Sequence, residues 1–175
     1  LDVKRHPDWQ APFRATDVSN LLKGARVLEM QPLRRGFEHR FSEADVERVR
    51  AEDLDVILRF GFNIVRGEIL TVPRHGIWSY HHGDNRKFRG GPACFWEMYE
   101  RDPLTGCILQ ILTDELDDGQ VIYRSHGATH SFESLLINRW WLYRKCVPFV
   151  MRCLRRLYET GDVACEPRGA GQSGR

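Results

Sequence analysis

Residues 55–81 read Asp55-Val-Ile-Leu-Arg-Phe60-Gly-Phe-Asn-Ile-Val65-Arg-Gly-Glu-Ile-Leu70-Thr-Val-Pro-Arg-His75-Gly-Ile-Trp-Ser-Tyr80-His81. The opening run, Asp55 to Phe60, is short, β-branched and closed by Gly61. Those features predict a buried parallel strand. Ile64 to Val72 reads as a short helix stopped by Pro73, because proline lacks the amide that a helix interior needs. Gly76 to Tyr80 is the next strand. A strand, a short helix and a second strand in so few residues argue for an α/β layer architecture.

The same alternation continues toward the C-terminus. A polar loop runs from His81 to Gly91, and Pro92 suits the first turn of a helix from Ala93 to Tyr99. Cys107 to Leu112 and Gln120 to Tyr123 are strands separated by the acidic loop Thr113 to Gly119. From Ser131 to about Tyr158, Leu136, Trp140, Tyr143, Val147, Val150, Leu154 and Leu157 recur at helical spacing. Pro148 is expected to kink or split that helix. Phe95, Trp96 and Tyr99 are read as core. Trp140 and Trp141 are adjacent and cannot both face one side. Toward the N-terminus, Ser42 can cap a helix whose Asp45 stands in the reciprocal position. Arg26 to Met30 is a short strand candidate, Pro32 to Gly36 a loop, and residues 1–24 irregular with a short helix at Val18 to Lys23.

The fold class is therefore α/β: a three-layer Rossmann-like arrangement, a mostly parallel sheet with helices on both faces. Residues 1–160 form one domain, with the chemistry-bearing segment at 55–125, C-terminal helices at 131–159 and a flexible tail at 161–175. The chain has 175 residues, 42% hydrophobic and 29% charged, with net charge +2. Those values exclude collagen, coiled coil and wholesale disorder, and no apolar run reaches the roughly 20 residues of a membrane helix. The five cysteines, Cys94, Cys107, Cys146, Cys153 and Cys165, include no C-x-x-C pair and are read as reduced thiols of a cytoplasmic protein. Residues 139–156 carry six basic side chains and no acid. A solvated helix face is the default for such a run. No nucleic-acid motif accompanies it, so nucleic acid is not an expected partner.

Active sites in open α/β sheets lie beyond the carboxyl ends of strands. The loop after Tyr80 holds His81, His82, Asp84, Asn85, Arg86 and Arg89, and the loop after Leu112 holds Asp114, Glu115, Asp117 and Asp118. A histidine at one strand end and an acid at another suit a general-base pair, since the carboxylate fixes the imidazole tautomer and stabilises its protonated form. His81 and His82 point in opposite directions on an extended strand, so a metal shared with Asp84 is disfavoured and no metal is expected.

From Asp55 to Ser125 the chain resembles the N-terminal domain of 10-formyltetrahydrofolate-dependent formyltransferases. The resemblance rests on Ser79-Tyr80-His81, Phe88-Arg89-Gly90-Gly91-Pro92, Thr105-Gly106 and Asp117-Asp118-Gly119, in that order, with Arg59-Phe-Gly-Phe-Asn63 and Ile69-Leu70 upstream. It implies His81 and Asp117 as catalytic residues, with Ser79 at the position of the family's asparagine. It also implies 10-formyltetrahydrofolate as donor, bordered by Phe60, Gly61, Phe62, Asn63, Asp114 and Leu116. The acceptor is a primary amine, by analogy an amino sugar, near His82, Asn85, Arg89 and Gly90. A fused domain or a homodimer is a further expectation by analogy.

Two departures stand out. The family's Asn-x-His is here Ser-x-His, and serine has one hydroxyl donor instead of an amide NH₂. The family's Ser-Leu-Leu-Pro-like run is here His82-Gly-Asp-Asn-Arg86, the mark of a divergent branch. Asn85 or His82 could replace the lost donor, the acceptor could differ, or the module could bind ligand without catalysis. Residues 1–25 also show no apolar strand followed by a Gly-rich turn, so the family's first strand has no counterpart there.

Overall fold

The structure is a computed structural model, and it describes residues 14–88, 90–115 and 119–167. The deciding stretch folds around a four-stranded mixed sheet in the order β3 (Ile57–Leu58), β5 (Ile77–His81), β6 (Leu104–Ile111), β7 (Gln120–Ala128). A second sheet joins β1 (Leu33–Arg35), β2 (Glu38–Arg40) and β4 (Ile64–Val65). The helices are α1 (Glu43–Arg50), α2 (Phe95–Tyr99), α3 (Leu135–Cys146) and α4 (Pro148–Thr160).

Side-chain alternation along β5 sets the layers. Trp78 enters a core with Leu142, Cys146, Phe149 and Val150 of α3 and α4. Its neighbour Ile77 enters the opposite core with Val46 and Val49 of α1 and with Ile69 and Leu70. Helices therefore cover both faces of the sheet, as the sequence predicts. The sheet itself is less parallel than expected. β3 pairs parallel with β5, but β5–β6 and β6–β7 are antiparallel. The acidic connection after β6 is too short for a crossover, which needs a dozen residues or more, so it closes a hairpin instead.

Ser42 caps α1, its Oγ accepting from the Asp45 amide at 3.1 Å. Pro148 splits the C-terminal helix as predicted. The break is bridged by Tyr80, whose hydroxyl donates to the Cys146 carbonyl at 3.0 Å and accepts from the Val150 amide at 3.3 Å. Trp140 is buried and Trp141 faces outward.

Several local expectations are corrected. Arg26–Met30 is not a strand, and Leu33–Arg40 folds as a hairpin instead. Val18–Lys23 forms turns. Ile64–Val72 divides into β4 and a 3₁₀ turn at Glu68–Thr71, because Gly67 at φ 88° breaks a helix between them. The α2 helix begins only at Phe95, after a cis Gly91–Pro92 bond. Phe95, Trp96 and Tyr99 are exposed and pack on one another, while Glu97 takes the inward position. The thiols are not all free. Cys107 on β6 and Cys146 on α3 form a disulfide across the sheet–helix interface, while Cys94, Cys153 and Cys165 are unpaired. Of the 161–175 tail, residues up to 167 are described, and Glu166 hydrogen-bonds to the Val121 carbonyl beside β7. Among the described residues no helix is long and apolar enough to cross a membrane.

Gly106 explains why Thr-Gly opens β6. A methyl group there would sit 2.8 Å from the Asp84 amide nitrogen and 2.9 Å from its Cα. The loop after β5 lies directly on this glycine. Gly106→Ala is expected to lower stability by about 1–3 kcal/mol, the usual cost of overpacking, measured by denaturant titration against the parent protein.

Candidate active site

β5 ends at His81, and the loop beyond it is short of apolar anchors. It is held by buried charge instead. Asp84 accepts from the Arg124 guanidinium at 2.5 Å and meets His126 Nε2 at 2.9 Å. Arg124 also donates to Asn85 Oδ1 and to both carboxylate oxygens of Glu166, each at 3.0 Å. Both charges of the central pair are almost inaccessible, with 8% and 11% of the side chains exposed. Burial alone would raise the Asp84 pKa. The hydrogen bond from His126, the Arg86 amide and the positive charge of Arg124 outweigh it and hold the carboxyl below its usual value.

His81 is thereby placed at the rim of a cavity of about 400 Å³. Arg59, Ile64, Val65, His82, Gly90 and Gln110 share its lining. So do Glu115 and Gly119, the described residues on either side of the segment 116–118. The His81 Nε2 lies 3.4 Å from the Phe88 carbonyl. The Gln110 Oε1 is buried without a partner and offers an acceptor to a ligand N–H. Gly119 permits the close return of the acidic loop, since a methyl group there would lie 2.7 Å from the Ile111 carbonyl oxygen. Asp114 accepts from the Gly67 amide at 3.0 Å and ties that loop to the segment after β4.

A second cavity, about 560 Å³ and more apolar, adjoins the first. Phe60, Gly61, Ser79, Val147, Val150 and Met151 line it. Arg59, Tyr80, His82 and Tyr143 belong to both linings and form the ridge between them. His82 stacks on Tyr80 and meets the Tyr143 ring edge at 4.6 Å. Burial, and then the neighbouring charge of His81, push its pKa down to about 4.

The predicted residues thus divide. His81, His82 and Gly90 share the first cavity, and Ser79, Phe60 and Gly61 the second. Phe62 and Asn63 hold the connecting loop, the Phe62 carbonyl accepting from Arg59 and the Asn63 amide donating to His39 at 3.3 Å. Asn85 is buried against Arg124 and lines neither cavity. Leu116, Asp117 and Arg89 lie outside the described residues. Asp84 is taken up by Arg124 and His126 rather than by His81. Among the described residues, the His/Cys/acid cluster with ligand-like spacing is His82, Cys107 and Cys146. The disulfide uses both of those sulfurs.

Sequence reasoning missed Arg59 and Arg124. Arg59 carries a readable signal, a lone cation in an otherwise apolar run. Its guanidinium donates to Ser79 Oγ at 2.7 Å. The partners of Arg124 come from three separate stretches, so nothing local marks it.

No family model matches the chain. Its sequence is similar to methionyl-tRNA formyltransferase of Parabacteroides distasonis, 29% identical over 84 residues, which are 48% of this chain and 26% of that protein. The chain therefore spans about a quarter of that relative's length. The fold is similar to glycinamide ribonucleotide transformylase 1 of Symbiobacterium toebii, with TM-score 0.62 and 22% identity over 71% of this chain and 59% of that one. It is also similar to the formyltransferase PseJ of Anoxybacillus kamchatkensis in complex with UDP-4,6-dideoxy-4-formamido-L-AltNAc and tetrahydrofolate, with TM-score 0.56 and 17% identity over 70% and 64% of the two chains. The architecture is that of the formyltransferase fold, and the sequence similarity to methionyl-tRNA formyltransferase extends over nearly half the chain.

The low His82 pKa has a measurable consequence. An unfolded histidine titrates near 6.5, so the unfolded chain binds this proton first as pH falls. Stability is expected to decline from about pH 6.5 toward pH 4. His82→Gln should flatten that part of the profile, read as the melting temperature of both proteins across the range.

Proposed function

We propose that this protein transfers the formyl group of 10-formyltetrahydrofolate to a primary amine of an amino sugar. The observation that carries this reading is the shared cavity: His81 at the end of β5 and Glu115 and Gly119 of the acidic loop line one cleft. The similarity to formyltransferases in sequence and fold supports it. The amino-sugar acceptor is supported by the likeness to PseJ, whose complex contains a formamido sugar nucleotide.

The chemistry follows from the groups at hand. The acceptor nitrogen attacks the formyl carbon, and the carbonyl π pair moves onto oxygen. His81 takes the proton from the attacking nitrogen, with Asp117 orienting the imidazole and stabilising its charge. The intermediate collapses by breaking the bond to the folate nitrogen N10, which receives the pair and the proton. Two adjoining cavities suit two substrates that meet at the ridge of Arg59, Tyr80 and His82. Cavities of this size fall within the range that holds small ligands and cofactors. Neutral His82 would present an uncharged face to either substrate.

Tetrahydrofolate is expected to raise the melting temperature of the protein at micromolar to millimolar concentration. His81→Ala and Asp117→Asn should each lower formyl transfer to amino sugars by about 10²–10⁴-fold, the range for general-base loss, with tetrahydrofolate binding retained. Absence of any folate-induced shift would remove the donor assignment.

A further inference from the structure

Arg59 follows β3, and its backbone amide donates to the Trp78 carbonyl at 2.9 Å. The parallel register of β3 and β5 therefore sets it beside Ser79. The Ser79 hydroxyl proton is already engaged. It donates its one proton to the Tyr80 carbonyl at 3.2 Å and accepts from Arg59 Nη1 at 2.7 Å. Ser79 has no proton left for a ligand.

The guanidinium is in the opposite condition. Among the described residues no carboxylate forms an ion pair with Arg59. Its hydrogen bonds among the described residues go to two neutral oxygens, of Ser79 and Phe62. Its Nε is buried with no partner. It lines both cavities together with Tyr80 and His82, and shares the first with Glu115 and Gly119. A half-buried cation with no ion-pair partner among the described residues is costly, and a ligand that develops negative charge there would answer it.

We propose that Arg59 is a catalytic residue, its guanidinium donating to the oxyanion formed when an amine or water adds to the formyl carbon. It would supply from β3 the donor that an asparagine at position 79 would supply from β5. The assignment rests on the formyl-transfer reading above. In the addition step the new bond to carbon forms as the carbonyl pair moves onto oxygen, where Arg59 meets it. In the collapse step that pair returns, the bond to N10 breaks, and N10 takes the proton. Arg59 itself transfers none. Asparagine is shorter than arginine and an uncharged donor, so the exchange is of geometry and charge as well as position.

The test measures turnover of 10-formyltetrahydrofolate by hydrolysis, which needs no acceptor, and tetrahydrofolate affinity by calorimetry. The proteins are wild type, Arg59→Met, Arg59→Lys and the double variant Arg59→Met/Ser79→Asn. The expected result for Arg59→Met is a fall in kcat of about 10²–10³-fold, with KM and tetrahydrofolate affinity within threefold of wild type. Arg59→Lys should recover part of the loss, because the charge remains while the fork of donors does not. The double variant should regain at least tenfold, its new amide occupying the position Arg59 had served. A kcat for Arg59→Met within threefold of wild type overturns the assignment. A loss confined to KM also overturns it and makes Arg59 an anchor for a ground-state anion. Retained folate affinity alongside either outcome leaves the formyl-transfer reading standing. Wild-type protein that binds no tetrahydrofolate overturns both.

Discussion

The buried pairing of Arg124 with Asp84 organises the loop that carries the candidate site. The loop after β5 is polar along most of its length, and hydrophobic burial could not hold it. A charge pair withdrawn from water is stable only when its geometry is good and its remaining donors and acceptors are met. Here His126, Asn85, the Arg86 amide and Glu166 meet them. Removing one partner would strand the other in a dry interior, which is far more costly than losing an exposed ion pair. The pair also joins three distant segments: β7, the loop after β5 and the C-terminal segment at Glu166. Gly106 completes the arrangement by letting the loop backbone lie against β6.

A second set of contacts builds the floor between the two cavities. Tyr80 projects from β5 into the gap that Pro148 opens between α3 and α4. Its hydroxyl satisfies one carbonyl and one amide that the break leaves without helical partners. The same ring stacks on His82 and packs beside Phe149. The Cys107–Cys146 disulfide fastens α3 to β6 close by. The helix break, the aromatic stack and the cavity wall are therefore one construction, and His82 stays neutral within it because water is excluded.

The members of the ridge and its surroundings differ in what their chemistry allows. His81 can move a proton. Arg59 can answer a negative charge without giving one up, since a guanidinium does not titrate in the working range. Burial lowers its pKa from the ordinary arginine value, which lies far above that range. Ser79, turned toward backbone, holds Arg59 in place. Gln110 offers an unpaired carbonyl from the neighbouring strand, opposite Ser79 in register. Arg59, Ser79 and Gln110 thus lie side by side across three neighbouring strands.

Local pattern was enough to place Ser42 at the start of α1, Pro148 at a helix break and β5 at the histidines. Each depends on neighbours within a turn or a strand: a capping hydroxyl, a missing amide, a run of β-branched residues. The order of short motifs from Arg59 to Gly119 likewise carried the resemblance and with it the fold class. Strand direction was not legible. Parallel and antiparallel pairing bury the same residues, and the long connection from β5 to β6 is compatible with either direction. The exposure of Phe95, Trp96 and Tyr99 followed from Glu97 facing inward, and the Cys107–Cys146 disulfide from α3 packing on β6. The partnership of Arg59 with Ser79 arose because parallel pairing of β3 and β5 sets side by side two residues 20 apart in the chain. Sequence determines what each side chain can do; the tertiary structure decided which of them meet, because those contacts form between segments that no local pattern connects.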